Sequence, residues 1–169
     1  MQAMRKIFSI FAVVFLLFAG FSLYNSQNPN PLDAQALPSN VKPINLDEIK
    51  SFVSADSPKI IFLYASWCPY CKKQMSGFAY FIDQYPTDDI IAISTERDAE
   101  DFSDYVRNSK SFPFTPYIYT GKEDLASYIK KAGGSFSGGI PYFAVFHKGK
   151  FKQDFIGLTH PEELAKAIQ

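Results

Sequence analysis

Cysteine is nearly absent from this chain: Cys68 and Cys71 are the only two among 169 residues. A bridge between them would close so short a loop that it would restrain the unfolded chain very little, which weakens a purely structural reading. Histidine is equally scarce, with His147 and His160 alone available to complete a zinc site, so no metal is expected and no cofactor is called for. Neither sign of charge is in excess: seventeen basic residues face seventeen acidic ones, and no basic cluster interleaved with aromatics appears. Nucleic acid is therefore not an expected partner. Internal repeats are also missing.

What is present is apolar material, at 47% hydrophobic and 17% aromatic, sufficient for one sizeable core plus an appendage. The appendage is residues 1–24. After Arg5 and Lys6, Ile7 to Leu23 carries no charge over 17 residues, roughly 25 Å of helix against a hydrocarbon core of roughly 30 Å. It reads as a membrane anchor or a signal peptide, with the anchor favoured because small-x-small cleavage sites near it are poor. Positive charges precede the run and none follows closely, so the remainder is expected outside the cytoplasm. The lack of a cysteine behind the run excludes a bacterial lipoprotein.

Residues 25–43 hold four prolines and four asparagines with little apolar periodicity and read as an extended linker. The folded domain is expected over 44–169. There, strands and helices alternate: a short helix capped by Asn45, a doubly buried strand from Lys59 to Ala65, and a helix with Met75, Phe78, Phe81, Ile82 and Tyr85 on one face, closed by Pro86. A second strand over Ile90–Ser94, helical faces at Phe102–Val106 and Leu125–Ala132, a hairpin around Lys148-Gly149-Lys150 and a last helix from Pro161 complete the pattern. This predicts an α/β fold with a central mixed sheet flanked by helices.

The cysteines sit where the first central strand passes into a helix, the end at which open α/β sheets gather their ligand chemistry. A thiol at a helix start meets unpaired N–H groups and the positive end of the macrodipole, which favour its thiolate. Cys68 is thus the candidate attacking sulfur, with Pro69 fitting the first turn. Cys71, one turn on and more buried, is the candidate resolving sulfur.

Ser66-Trp67-Cys68-Pro69-Tyr70-Cys71-Lys72 behind Phe62-Leu63-Tyr64-Ala65 resembles the active-site segment of thioredoxin-fold proteins. Gly139-Ile140-Pro141-Tyr142-Phe143-Ala144-Val145-Phe146 with Gly149 resembles the cis-proline strand and hairpin of that family. The resemblance implies a cis Ile140–Pro141 bond facing the dithiol, the Ile140 backbone pairing with an extended substrate, and Trp67, Pro69 and Tyr70 on the substrate rim. The leader, the strand ending in Ser94-Thr95-Glu96 and the following elements are similar to the TlpA/ResA type of membrane-tethered bacterial thioredoxin. That likeness implies an extracytoplasmic thiol:disulfide oxidoreductase, anchored in the inner membrane or secreted if the leader is cleaved. It would exchange electrons with a membrane donor or acceptor and reduce disulfides in exported proteins, apocytochrome c among them.

Two departures qualify the match. Thioredoxins carry a buried carboxylate on the strand before the dithiol, where this chain has Phe62, and Glu96 stands where the TlpA/ResA group places a glutamate that serves Cys71 as base. Glu96 also reads as a solvated loop acid beside Arg97. Pro-Tyr between the cysteines is the glutaredoxin dipeptide, whose potentials of roughly −200 to −230 mV leave the direction of electron flow open. Alternative functions are a dithiol oxidase or isomerase and a non-enzymatic, membrane-tethered adaptor. Gly133 to Gly139 reads as a helix cap and connector, or as a lip around the dithiol with Phe136 as a contact. Lys72 and Lys73 read as a solvated face, and the histidines are given no role.

Overall fold

A computed structural model describes residues 37–82, 87–109, 112 and 114–169. Its elements are β1 (Lys42–Ile44), α1 (Leu46–Val53), β2 (Lys59–Tyr64), α2 (Pro69–Ile82), β3 (Ile90–Ser94), α3 (Ala99–Asn108), β4 (Tyr117–Tyr119), α4 (Leu125–Ala132), β5 (Tyr142–His147), β6 (Lys150–Ile156) and α5 (Pro161–Ala167). The strands form one sheet in the order β1-β4-β3-β2-β5-β6. β1, β4, β3 and β2 run parallel, while β5 is antiparallel to β2 and β6 to β5.

β2 is central because its residues are apolar on both faces. Ile60, Phe62 and Tyr64 enter one buried cluster together with Cys68, Cys71 and Phe78, and Ile61 and Leu63 enter the other with Ile49 and Ile129. Each such side chain removed from water stabilises the fold by about 1.5–3 kcal/mol. Phe62 is the centre of the first cluster, stacked on Phe143 at 4.6 Å and 8° and on Tyr64 at 5.2 Å.

Helix ends follow local chemistry. Asn45 Oδ1 accepts the Asp47 and Glu48 N–H groups, and Glu48 Oε2 accepts the Asn45 N–H, a complete capping box. Asp98 and Asp124 cap α3 and α4 in the same way, without the reciprocal partner. Gly133 ends α4 at φ 113°, a left-handed position that a side chain would strain. The β5–β6 turn places Lys148 and Gly149 at φ 54° and 74°, the sense of a tight hairpin.

The domain boundary at residue 44 is corrected. Lys42 and Pro43 belong to β1, Val41 is buried, and Leu37 packs on the core, so residues 37–43 are part of the domain rather than of a linker. Lys42 N–H donates to Pro116 O and Thr120 N–H to Ile44 O, which fixes this segment to β4. Neither β1 nor β4 was expected, because three residues beside prolines show no strand periodicity. The anchor at residues 1–24, the rest of the linker up to residue 36, and the helix closure at Tyr85 and Pro86 lie outside the described residues. Among the described residues no helix is long and apolar enough to cross a membrane.

Candidate dithiol site

Cys68 immediately precedes α2, and its carbonyl accepts the Lys72 N–H at 3.1 Å, the first turn of the helix. The Cys71 N–H points back at the Cys68 sulfur, 3.1 Å away. Proline at the next position has no N–H to satisfy, which suits the start of a helix. On its other side the Cys68 thiol lies 3.7 Å from the Ile140 carbonyl oxygen. The Ile140–Pro141 peptide bond is cis, and β5 begins directly after it. Both thiols are free.

Cys68 is less open than a sulfur at the mouth of a helix is expected to be: it retains 4% of its surface, and Cys71 retains 1%. Around them Trp67 and Tyr70 are 68% and 63% exposed, and Pro69 is exposed as well. Burial first, and then the neighbouring Cys68 sulfur, push the Cys71 thiol well above the ordinary cysteine range.

Glu96 is not a solvated loop acid. It is 8% exposed, and both carboxylate oxygens are held by hydroxyls: Ser66 donates to Oε1 in a short hydrogen bond, and Ser94 donates to Oε2 at 2.5 Å. The Glu96 N–H returns a bond to Ser94 Oγ at 3.2 Å. The neighbouring Arg97 is exposed. Two hollows meet at this carboxylate. One, of about 570 Å³, is lined by Ser66, Trp67, Thr95, Glu96, Arg97, Asp98 and Asp101; the other, of about 410 Å³, reaches from Glu96 to Phe136 and Gly138. A third hollow of about 400 Å³ opens between Phe52 and Tyr117, beside the start of β3 and away from the dithiol.

The structure therefore brings Cys68, Cys71, Ile140 and Pro141 together, places Trp67, Pro69 and Tyr70 on the exposed side, and sets Glu96 behind Ser66. Three residues at the site stand within the quoted motifs but receive no role from the sequence. Ser66 and Ser94 clamp the acid, and Tyr64 is wholly buried with a hydroxyl that has no hydrogen-bond partner among the described residues. A buried hydroxyl left unpaired costs about 1–3 kcal/mol. Lys72 Nζ lies 5.6 Å from the Tyr105 ring, and both Lys72 and Lys73 are exposed. Among the described residues no group of acids, cysteines and histidines is arranged to hold a metal ion.

A family model described as thioredoxin-like matches residues 56–150, more than half of the chain and all of the dithiol and cis-proline segments. The chain belongs to the thioredoxin-like family. Among solved structures, StoA from Bacillus subtilis is similar with a TM-score of 0.50 at 22% identity, covering 68% of this chain and 84% of its own. A thioredoxin-related protein from Neisseria meningitidis serogroup B has a TM-score of 0.53 at 18% identity, with the same two coverages of 68% and 84%. At these identities the likeness is one of fold. No curated protein matches the sequence significantly. The thioredoxin-like domain is thus an oxidoreductase fold, with a mixed sheet flanked by helices and its only cysteines at the start of α2.

Proposed function

We propose that this thioredoxin-like protein is an extracytoplasmic thiol:disulfide oxidoreductase that reduces disulfides in exported proteins through Cys68 and Cys71. The observation that carries the reading is the Cys68 sulfur, set at the first turn of α2 with the Cys71 N–H donating to it and the Ile140 carbonyl beside it. The reaction is two exchanges. The Cys68 thiolate attacks a substrate disulfide, one substrate sulfur leaves as thiolate, and a mixed disulfide forms. Cys71 then attacks Cys68, the second substrate sulfur leaves, and the Cys68–Cys71 disulfide remains, to be reduced by a dithiol donor held at the membrane.

The Ile140 carbonyl and the exposed side chains of Trp67, Tyr70, Ile156 and Leu158 suit a polypeptide partner rather than a small thiol. Glu96 is the proposed base for Cys71: this thiol is held protonated by burial, so its attack needs an acceptor for the proton. Residues 1–24 would tether the domain to the inner membrane or direct its secretion, and the charge-free run at Ile7–Leu23 supports that placement. Apocytochrome c is one substrate of suitable chemistry.

The small surface left to Cys68 favours a second reading, a tethered adaptor that binds exported proteins with its cysteine pair locked. Insulin reduction in dithiothreitol, together with trapping of partners by a Cys71→Ser variant through Cys68, separates the two. A pair that stays oxidised against strong reductants and traps nothing sinks the enzyme. The reduction potential sets the direction of electron flow: a value below about −300 mV fits a reductant, and one near about −120 mV makes the protein an oxidant.

A further inference from the structure

Tyr64 ends β2 on the face of the sheet that carries the dithiol. Its ring packs on Phe62, Phe102 and Phe112, at 5.2, 5.9 and 6.0 Å between centroids. Phenylalanine would fill that space without burying an unpaired hydroxyl, so the hydroxyl calls for a partner that the resting arrangement withholds.

Its surroundings name the partners. In the β2–β3 register Tyr64 lies opposite Ser94, whose hydroxyl holds Glu96. One residue on, the Ala65 carbonyl accepts the Cys68 N–H, and Tyr64, Cys68 and Cys71 share one buried cluster. Burial first, then the charges of Tyr105, Glu96 and Cys71, hold the Tyr64 phenol well above its ordinary range. It therefore stays protonated, which suits a group that passes protons on rather than keeping a charge. Tyr105 feels Cys71 and Glu96 too, but it is only half-buried and interacts with Ser109.

We propose that the Tyr64 hydroxyl is a proton relay between the Cys71 thiol and the Glu96 carboxylate. This rests on the reading of Cys71 as the resolving thiol. In the mixed disulfide, Cys71 sulfur attacks Cys68 sulfur; the Cys71 proton passes to the Tyr64 oxygen as the Tyr64 proton passes to Glu96. The Cys68–Cys71 bond forms, the bond from Cys68 to the substrate breaks, and the substrate sulfur leaves with the electron pair and takes a proton from water. Tyr64 ends unchanged, Glu96 releases its proton to the hollow beside it, and two electrons have moved from the dithiol to the substrate disulfide.

The test is stopped-flow reaction of the full reduced protein with 5,5′-dithiobis(2-nitrobenzoate), in which the first thionitrobenzoate released reports Cys68 and the second reports attack by Cys71. In Tyr64→Phe the first phase is expected to match wild type and the second to slow at least tenfold at pH 7, recovering as pH rises. Glu96→Gln should slow the same second phase, and the double variant should be no slower than the slower single one, because both act on one path. A second phase in Tyr64→Phe within about twofold of wild type from pH 5 to 9, or additive losses in the double variant, would overturn the relay. If wild-type Cys68 itself releases no thionitrobenzoate, the redox function fails and the relay falls with it.

Discussion

At the scale of single residues the two sulfurs sit in different surroundings. Both are buried, but Cys68 takes an N–H from the start of α2, while burial and the Cys68 sulfur hold Cys71 protonated. In a Cys68→Ser variant, Cys71 should therefore resist iodoacetamide from pH 6 to 9, with alkylation at least tenfold slower than that of a free thiol; rapid labelling near neutral pH would show that its burial does not hold in solution. Phe62 occupies the position at which thioredoxins bury a carboxylate. Phe62→Asp would not restore that acid usefully, because the side chain would replace stacks on Phe143 and Tyr64 with an unpaired charge. The variant should lose about 3–5 kcal/mol in urea unfolding, and a loss under about 1 kcal/mol would mean that the pocket readily accepts the acid.

At the scale of elements, one carboxylate ties the loop before Pro141 to the hairpin. Asp154 Oδ2 accepts the Ser135 N–H at 2.6 Å, the Ser135 hydroxyl at 2.8 Å and the Tyr142 hydroxyl at 2.8 Å. Burial works against the charged form of Asp154, but these bonds outweigh it and hold its carboxyl below the ordinary range, while burial and Asp154 push the Tyr142 phenol up. A carboxyl whose pKa is lower folded than unfolded contributes stability above its unfolded value, about 3.9, and loses it as pH falls through the folded value. Asp154→Asn should thus be less stable than wild type by about 1 kcal/mol at pH 7, and the gap should be smaller at pH 3, narrowing as pH falls below about 4. An equal gap at both pH values in urea midpoints would remove the charge from this account. Phe136, which the sequence offers either as part of a connector or as a lip contact, packs at 4.8 Å from the Tyr142 ring and lines the hollow beside Glu96.

At the scale of the whole molecule, what the sequence revealed and what it hid follow from the range of the forces involved. β2 and β3 were legible because strands buried on both faces must be apolar throughout, and α1 because its Asn45 cap is local chemistry. Cys68 and Cys71 were legible because their spacing repeats one helical turn. Glu96 was offered by the resemblance to the TlpA/ResA type and not by its neighbours, which read equally as a solvated loop, and its clamp could not be read at all, since Ser66 and Ser94 meet it only once β2 and β3 lie side by side. The unpaired state of the Tyr64 hydroxyl among the described residues depends likewise on every neighbour that fails to reach it. β1 was hidden for a related reason: three residues beginning with Lys-Pro become a strand only because β4 offers them a free edge. That edge bears on the site, since β4 pairs with β3 at Ser94, the residue that holds Glu96. A chain beginning at Asn45 should therefore unfold at a lower urea concentration than one beginning at Leu37. The shorter chain loses the buried side chains of Val41 and Ile44, a loss of about 3–6 kcal/mol. Amide exchange at Ser94 and Ile118 should quicken with it, and identical midpoints for the two chains would return residues 37–43 to the linker.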